Sequence, residues 1–171
     1  MDYKEENGML LCTKSALHTP CLLDQTIERY FGQYLKDSPV PEEPDKYGKG
    51  LMITRFNEIH EGWYEHNEPN GYGRLIQAHG FYIGMFKNSR FEGYGKYFYN
   101  DGRIYEGEFL DHKYHGWGTF FEIDGEKYIG DFKKGIKEGV GTYEYRDGSK
   151  YEGLWKNGKR HGKGTFTKSN K

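Results

Sequence analysis

The 171-residue chain has only two cysteines, Cys12 and Cys21, and five prolines. Eight residues separate the cysteines, and no second Cys or His pair follows at zinc-ligand spacing, so a disulfide framework and a zinc module are both excluded as expectations. The two thiols read as reduced. Near the N-terminus the longest apolar run is Met9-Leu10-Leu11-Cys12, too short for a secretion signal. No stretch approaches the roughly 20 apolar residues of a membrane helix. Hydrophobic residues make up 35% and the mean hydropathy is −1.00, too little Leu, Ile and Val for an ordinary thick core. Net charge is −1, which argues against a nucleic-acid partner. The expectation is an intracellular protein, neither secreted nor membrane-spanning.

Rings and glycines are what the chain does have. Aromatics reach 18%, and there are 25 glycines. A disordered chain would carry far fewer rings. The glycines are phased. YEGLWKNGKRHGKG begins at Tyr151, and versions of it begin at His60 (HEGWYEHNEPNGYG), Tyr82 (YIGMFKNSRFEGYG), Tyr105 (YEGEFLDHKYHGWG) and Tyr128 (YIGDFKKGIKEGVG). Successive starts lie 22 or 23 residues apart. A weaker copy begins at Tyr30 and is lengthened by a proline- and acid-rich insertion over 37–46, read as a loop. Glycine recurs at the third place (Gly32, Gly62, Gly84, Gly107, Gly130, Gly153), and again at the twelfth and fourteenth. A motif used six times at constant period is architecture, not a phosphate loop.

The spacing predicts hairpins. Asn157-Gly158 is a strong type I′ turn pair, and Lys134-Gly135 is a poorer one. A plain two-residue loop there sets the third place opposite the twelfth and the first opposite the fourteenth, with rings laid across glycines of the neighbouring strand. The sixteenth place (Met52, Leu75, Tyr97, Phe120, Tyr143, Phe166) joins that face. Asp101-Gly102, Asp124-Gly125 and Asp147-Gly148 make the turns between units. The predicted fold is all-β: an elongated single-layer antiparallel sheet of six stacked hairpins over 30–171, with units starting near 30, 60, 82, 105, 128 and 151. Residues 1–29 form a separate arm, irregular or with a short helix over 24–29.

This pattern, YEGxWxxGxxHGxG followed by Asp-Gly, resembles the MORN (membrane occupation and recognition nexus) repeat over residues 30–171. The resemblance implies a binding or scaffold module. MORN arrays occur in junctophilins, phosphatidylinositol phosphate kinases, a histone methyltransferase and radial spoke heads of cilia, and where chemistry is done another domain does it.

No catalytic constellation is expected. His115 and His161 occupy the eleventh place, where other units carry Asn70, Glu92 and Glu138, so no shared catalytic role fits. The histidines lack metal-ligand spacing, and no cofactor is expected. Candidate partner-binding residues lie on the sheet face away from the ring layer: Phe31, Trp63, Tyr72, Ile83, Met85, Tyr94 and Trp117, read as an aromatic groove for an extended peptide or a helix. Units five and six read as wet there, from Asp131, Glu152 and Lys163. A second candidate is the basic end. Residues 149–171 hold seven bases and one acid, against nine acids and five bases over 1–47. Lys156, Lys159, Arg160, Lys163 and Lys168 there either discourage further pairing at an open sheet edge or contact anionic lipid, and a homodimer through that C-terminal edge is a separate expectation. The leading expectation is a non-catalytic scaffold subunit of a larger protein assembly, with a ciliary axoneme (radial spoke or related) as the setting the resemblance implies. The alternative is a membrane-surface adaptor for anionic phospholipid.

Overall fold

The computed structural model describes residues 3–6, 9–12, 28–35 and 45–170. The described residues form fourteen strands and no helix: β1 (Tyr3–Glu6), β2 (Met9–Cys12), β3 (Arg29–Leu35), β4 (Lys46–Ile53), β5 (Ile59–Glu65), β6 (Glu68–Gln77), β7 (Gly80–Lys87), β8 (Arg90–Tyr99), β9 (Ile104–Leu110), β10 (Lys113–Phe121), β11 (Lys127–Lys133), β12 (Ile136–Glu144), β13 (Lys150–Lys156) and β14 (Lys159–Thr167). Pairing is antiparallel in an open sheet whose strand order is the chain order. Two compact units divide the chain, residues 1–78 with 86–89, and 79–85 with 90–171. Two differences from the sequence reading lie near the N-terminus. Residues 3–6 and 9–12 are strands rather than an irregular or helical arm, and Arg29 opens β3. Glu28 is not helical either, and residues 24–27 of the expected helix and nearly all of the 37–46 insertion lie outside the described residues.

The two-residue turns follow the prediction and extend it. Asn157-Gly158 and Lys134-Gly135 have positive φ at both residues, and so do His66-Asn67, Asn88-Ser89 and Asp111-His112. A type I′ turn requires this, because only its twist matches that of the flanking strands. Between units, the Asp101, Asp124 and Asp147 carboxylates accept the N–H two residues on, at 3.1, 3.1 and 2.8 Å. Asn57 takes the place of the turn glycine after the first hairpin, with φ 59°.

The register differs from the expected one. In the last hairpin Lys156 pairs with Lys159 and Trp155 with Arg160, but Gly153 then pairs with Gly164 and Tyr151 with Phe166. Between those pairs one strand spends a single residue, Leu154, and the other spends three, His161, Gly162 and Lys163. The third place therefore meets the fourteenth, not the twelfth. The cause is a β-bulge at the twelfth glycine, where φ is positive in all six units. That glycine instead lies opposite the fifth-place ring of the following unit, as Gly139 does opposite Trp155.

The paired glycines make room for the first-place ring. A Cβ on Gly141 would stand 2.3 Å from the Tyr128 hydroxyl oxygen and 2.5 Å from its ring. The ring and its hydroxyl lie over the paired glycines of its own hairpin. Tyr30, Tyr82, Tyr105, Tyr128 and Tyr151 each donate to the carbonyl three residues on, at 2.9 to 3.2 Å. Fifth-place rings join these tyrosines edge to face. In the second unit the chain of contacts runs Tyr82–Phe109–Tyr105–Phe132–Tyr128–Trp155–Tyr151, with centroids 5.0 to 5.5 Å apart. In the first it runs Tyr34–Tyr30–Tyr64–His60–Phe86. Each such pair contributes about 0.5–1.5 kcal/mol beyond burial. The Trp155 indole N–H also donates to the Gly141 carbonyl at 3.0 Å.

The tenth place covers the other face of each tyrosine. Phe91 stacks on Tyr82 at 3.8 Å and Tyr114 on Tyr105 at 3.7 Å. Lys46, Lys137 and Arg160 set a cation over Tyr30, Tyr128 and Tyr151, at 5.5, 5.1 and 5.3 Å. Burial pulls the Lys137 amine below its usual pKa, while Glu122 and Glu126 act the other way.

His60 holds the first place of the second hairpin and is fully buried. Its Nδ1 shares a 2.5 Å hydrogen bond with the Tyr64 hydroxyl, and its Nε2 has no partner among the described residues. Burial lowers its pKa to about 4.

Two predictions follow from this layer. Gly141→Ala costs about 1–3 kcal/mol in denaturant unfolding, and the cost shrinks in a Tyr128→Leu background, because the added methyl then meets no ring. His60 makes stability fall as pH drops from about 6.5 to about 4, because the unfolded chain takes up a proton that the folded one refuses. The full loss is on the order of 3 kcal/mol. His60→Tyr rebuilds the hydroxyl contact of the other units and flattens that acid slope, as read by urea midpoints between pH 7 and pH 4.5.

Candidate interaction surface

Side chains at the fourth and thirteenth places leave the sheet on the face opposite the ring layer. The bulge glycine sets the direction of the thirteenth place, and the fourth-place side chain lies over that glycine. Trp63 Cβ stands 3.2 Å from the Cβ position of Gly71, and Leu154 Cδ1 stands 3.2 Å from that of Gly162. Where the fourth place is acidic, its carboxylate accepts the N–H exposed by the bulge: Asp131 from Val140 at 3.0 Å and Glu108 from Trp117 at 3.4 Å.

In the second unit, neighbouring strands then bring these places side by side. Tyr94 pairs with Glu108, Trp117 with Asp131 and Val140 with Leu154. Tyr94, Trp117, Val140 and Leu154 are 61%, 52%, 56% and 41% exposed. Met85 is exposed too and lies over Gly93, whose Cβ position is 3.7 Å from Met85 Cβ. The row is thus apolar, with two carboxylates set into it. Beside it the Tyr94 hydroxyl donates to Glu106 at 3.1 Å, and Lys96 pairs with Glu106 at 3.0 Å. The Lys96 ammonium holds the Glu106 carboxyl below the usual range.

The sequence-predicted residues divide between the units. Phe31, half-buried opposite Leu51, belongs to the first with Trp63 and Tyr72, both exposed. Lys49 lies opposite Trp63 and holds its ammonium 5.4 Å from that ring. Ile83, half-buried, belongs to the second with Met85, Tyr94 and Trp117. Val140 and Leu154 are not among the sequence-predicted residues, because Asp131, Glu152 and Lys163 make units five and six read as wet there. Apolar residues at their two places were the available signal. At the basic end Lys156, Lys159, Arg160, Lys163 and Lys168 are exposed. Arg160 also serves as the cover of Tyr151, and with Lys159 it borders a shallow depression against Tyr143, Tyr145 and Trp155.

The family profile of the MORN repeat matches residues 82–102, 105–121, 128–150 and 151–171. Residues 82–171 carry four MORN repeats. Residues 30–77 carry the same glycine register, with Gly32 opposite Gly50 and Gly62 opposite Gly73. No curated protein is significantly similar to the chain. MORN repeats are a non-catalytic repeat family of protein- and membrane-interaction modules. Among the described residues no helix is long and apolar enough to cross a membrane, and no cluster of three or more His, Cys, Asp or Glu is arranged to hold a metal.

The bulge cap generates a prediction. Asp131→Ala leaves the Val140 N–H without its acceptor and costs about 1 kcal/mol in thermal or urea unfolding, whereas Asp131→Asn retains an acceptor oxygen and stays near wild type.

Proposed function

We propose that the protein is a non-catalytic scaffold subunit that holds other proteins against the solvent face of its MORN sheet. The observation that carries this reading is the exposed row Tyr94, Trp117, Val140 and Leu154. Contiguous apolar side chains left in water on a small protein mark a surface that a partner covers. Trp63 and Tyr72 offer the same chemistry in the first unit, and Phe31 and Ile83 lie on strands beside such residues. The setting we carry forward is a cytoskeletal assembly, with the ciliary axoneme and its radial spokes named by the family resemblance alone. Self-association through the basic C-terminal strand is part of the same proposal.

A second reading, a membrane-surface adaptor, is favoured by one observation: Lys159, Arg160 and Lys163 stand on a strand exposed along its whole length. Basic residues near an anionic surface are each attracted by about 1 kcal/mol.

One pair of experiments separates the two. Proximity labelling in cells compares wild type with Trp63→Ser/Trp117→Ser, two half-exposed positions on the solvent face, with melting temperatures measured alongside. Loss of most labelled partners, with an unchanged melting temperature, is the expected result, and an unchanged partner set overturns the docking reading. Flotation with phosphatidylserine vesicles tests the adaptor. Acid-lipid-dependent binding that Lys159→Glu/Lys163→Glu removes would establish it, and no flotation would end it.

A further inference from the structure

The exposed row in the second unit has a period as well as a composition. Tyr94, Glu108, Trp117, Asp131 and Val140 stand on β8, β9, β10, β11 and β12, one residue per strand. Apolar and acidic residues therefore alternate at about 4.8 Å, and each kind recurs at about 9.6 Å. A ligand that crosses the strands must match that repeat to use more than one position.

Three regular conformations can be compared. A polyproline II helix has three residues per turn at about 3.1 Å each, so one of its edges returns every ~9.3 Å. Two turns of α-helix take ~10.8 Å. From Tyr94 to Val140, two periods, polyproline II falls short by roughly 0.6 Å, while the α-helix overruns by roughly 2.4 Å. A β-strand running across the row has a two-residue repeat of ~6.6 Å and loses phase within one period. The apolar positions are the kind that polyproline segments use, since proline rings pack on Tyr and Trp faces and the conformation is preformed at low entropic cost.

The charge selects further. Glu108 and Asp131 each accept one backbone N–H and enter no ion pair among the described residues. Both carboxylates keep oxygen lone pairs toward solvent between the apolar positions. An arginine one residue from each ring-facing proline reaches them, and its planar fork suits a carboxylate. A second copy of this face would instead oppose acid to acid.

We infer that the row Met85, Tyr94, Trp117, Val140 and Leu154, with Glu108 and Asp131 between, is a docking site for a proline-rich segment in polyproline II conformation that carries arginine or lysine at the three-residue repeat. The inference rests on the docking role proposed above and narrows it to one class of partner.

The test uses the full chain and two fluorescein-labelled peptides of equal length and charge, repeated Pro-Pro-Arg and repeated Gly-Ser-Arg, in anisotropy titrations. The Pro-Pro-Arg peptide binds about tenfold or more tightly than the other, and Trp117→Ala weakens it by about tenfold. Glu108→Gln/Asp131→Asn, which keeps the acceptors for the bulge N–H groups, also weakens it and flattens its salt dependence. Equal affinity for the two peptides, no binding of Pro-Pro-Arg, or binding indifferent to Trp117→Ala overturns the inference. If the tryptophan variants lose their cellular partners while Pro-Pro-Arg does not bind, the docking reading stands and the polyproline class falls. If Pro-Pro-Arg binds as expected and the cellular partners are unmoved, the site stands and the scaffold reading falls.

Discussion

A tyrosine ring lying over two paired glycines is the contact on which five of the six hairpins depend, and the His60 imidazole takes its place in the other. The ring needs bare backbone on both strands, because a single methyl on either glycine would occupy its volume. In return it covers a ladder that has no side chains of its own, anchors its hydroxyl on a carbonyl three residues on, and presents its edge to the fifth-place ring of its own and the next hairpin. Glycine and tyrosine are thus two halves of one device. A protein with 35% hydrophobic residues can form an ordered layer this way because the layer is one ring thick. Burial is concentrated in Tyr82, Tyr105 and Tyr128, each fully removed from water.

Much of this was legible in the sequence. The 23-residue period, the turn pairs and the need for rings over glycines follow from residue types alone. The register did not, because counting back from a two-residue turn assumes an unbroken ladder. The twelfth glycine interrupts it, and nothing in a lone Gly-x-Gly says which of its two glycines takes a positive φ. The sixteenth-place residues fall on the ring face as expected, although they arrive there opposite the first place. The cover at the tenth place was invisible for another reason: Lys46, Pro69, Phe91, Tyr114, Lys137 and Arg160 look unrelated until each is seen at the same position of its unit. The strands Tyr3–Glu6 and Met9–Cys12 carry no glycine pattern, so repeat counting passed over them.

The candidate surface was read in part. Trp63, Tyr94 and Trp117 stand exposed opposite the ring layer, as alternation along a strand requires whatever the register. The end of the row at Val140 and Leu154 was not legible, because the charged Asp131, Glu152 and Lys163 nearby give units five and six the pattern of a wet face. The bulge links the two faces of the sheet. The glycine that shifts the ladder on the ring side also aims the thirteenth residue outward and frees its N–H, which Asp131 and Glu108 then bind. The acidic character of the outer row therefore comes from groups that already serve the backbone.

The tenth-place cover has a consequence for how such an array diversifies. The face of an aromatic ring is electron-rich, so another ring, a proline or a positive charge can rest on it, whereas a carboxylate is repelled. Across the six units that position holds two rings, two lysines, an arginine and a proline, and never an acid. Positive charge can therefore be added or withdrawn one hairpin at a time while the aromatic zigzag beneath keeps its packing. At that one place the charge of each hairpin is free to range between neutral and positive, and negative charge is confined to other positions.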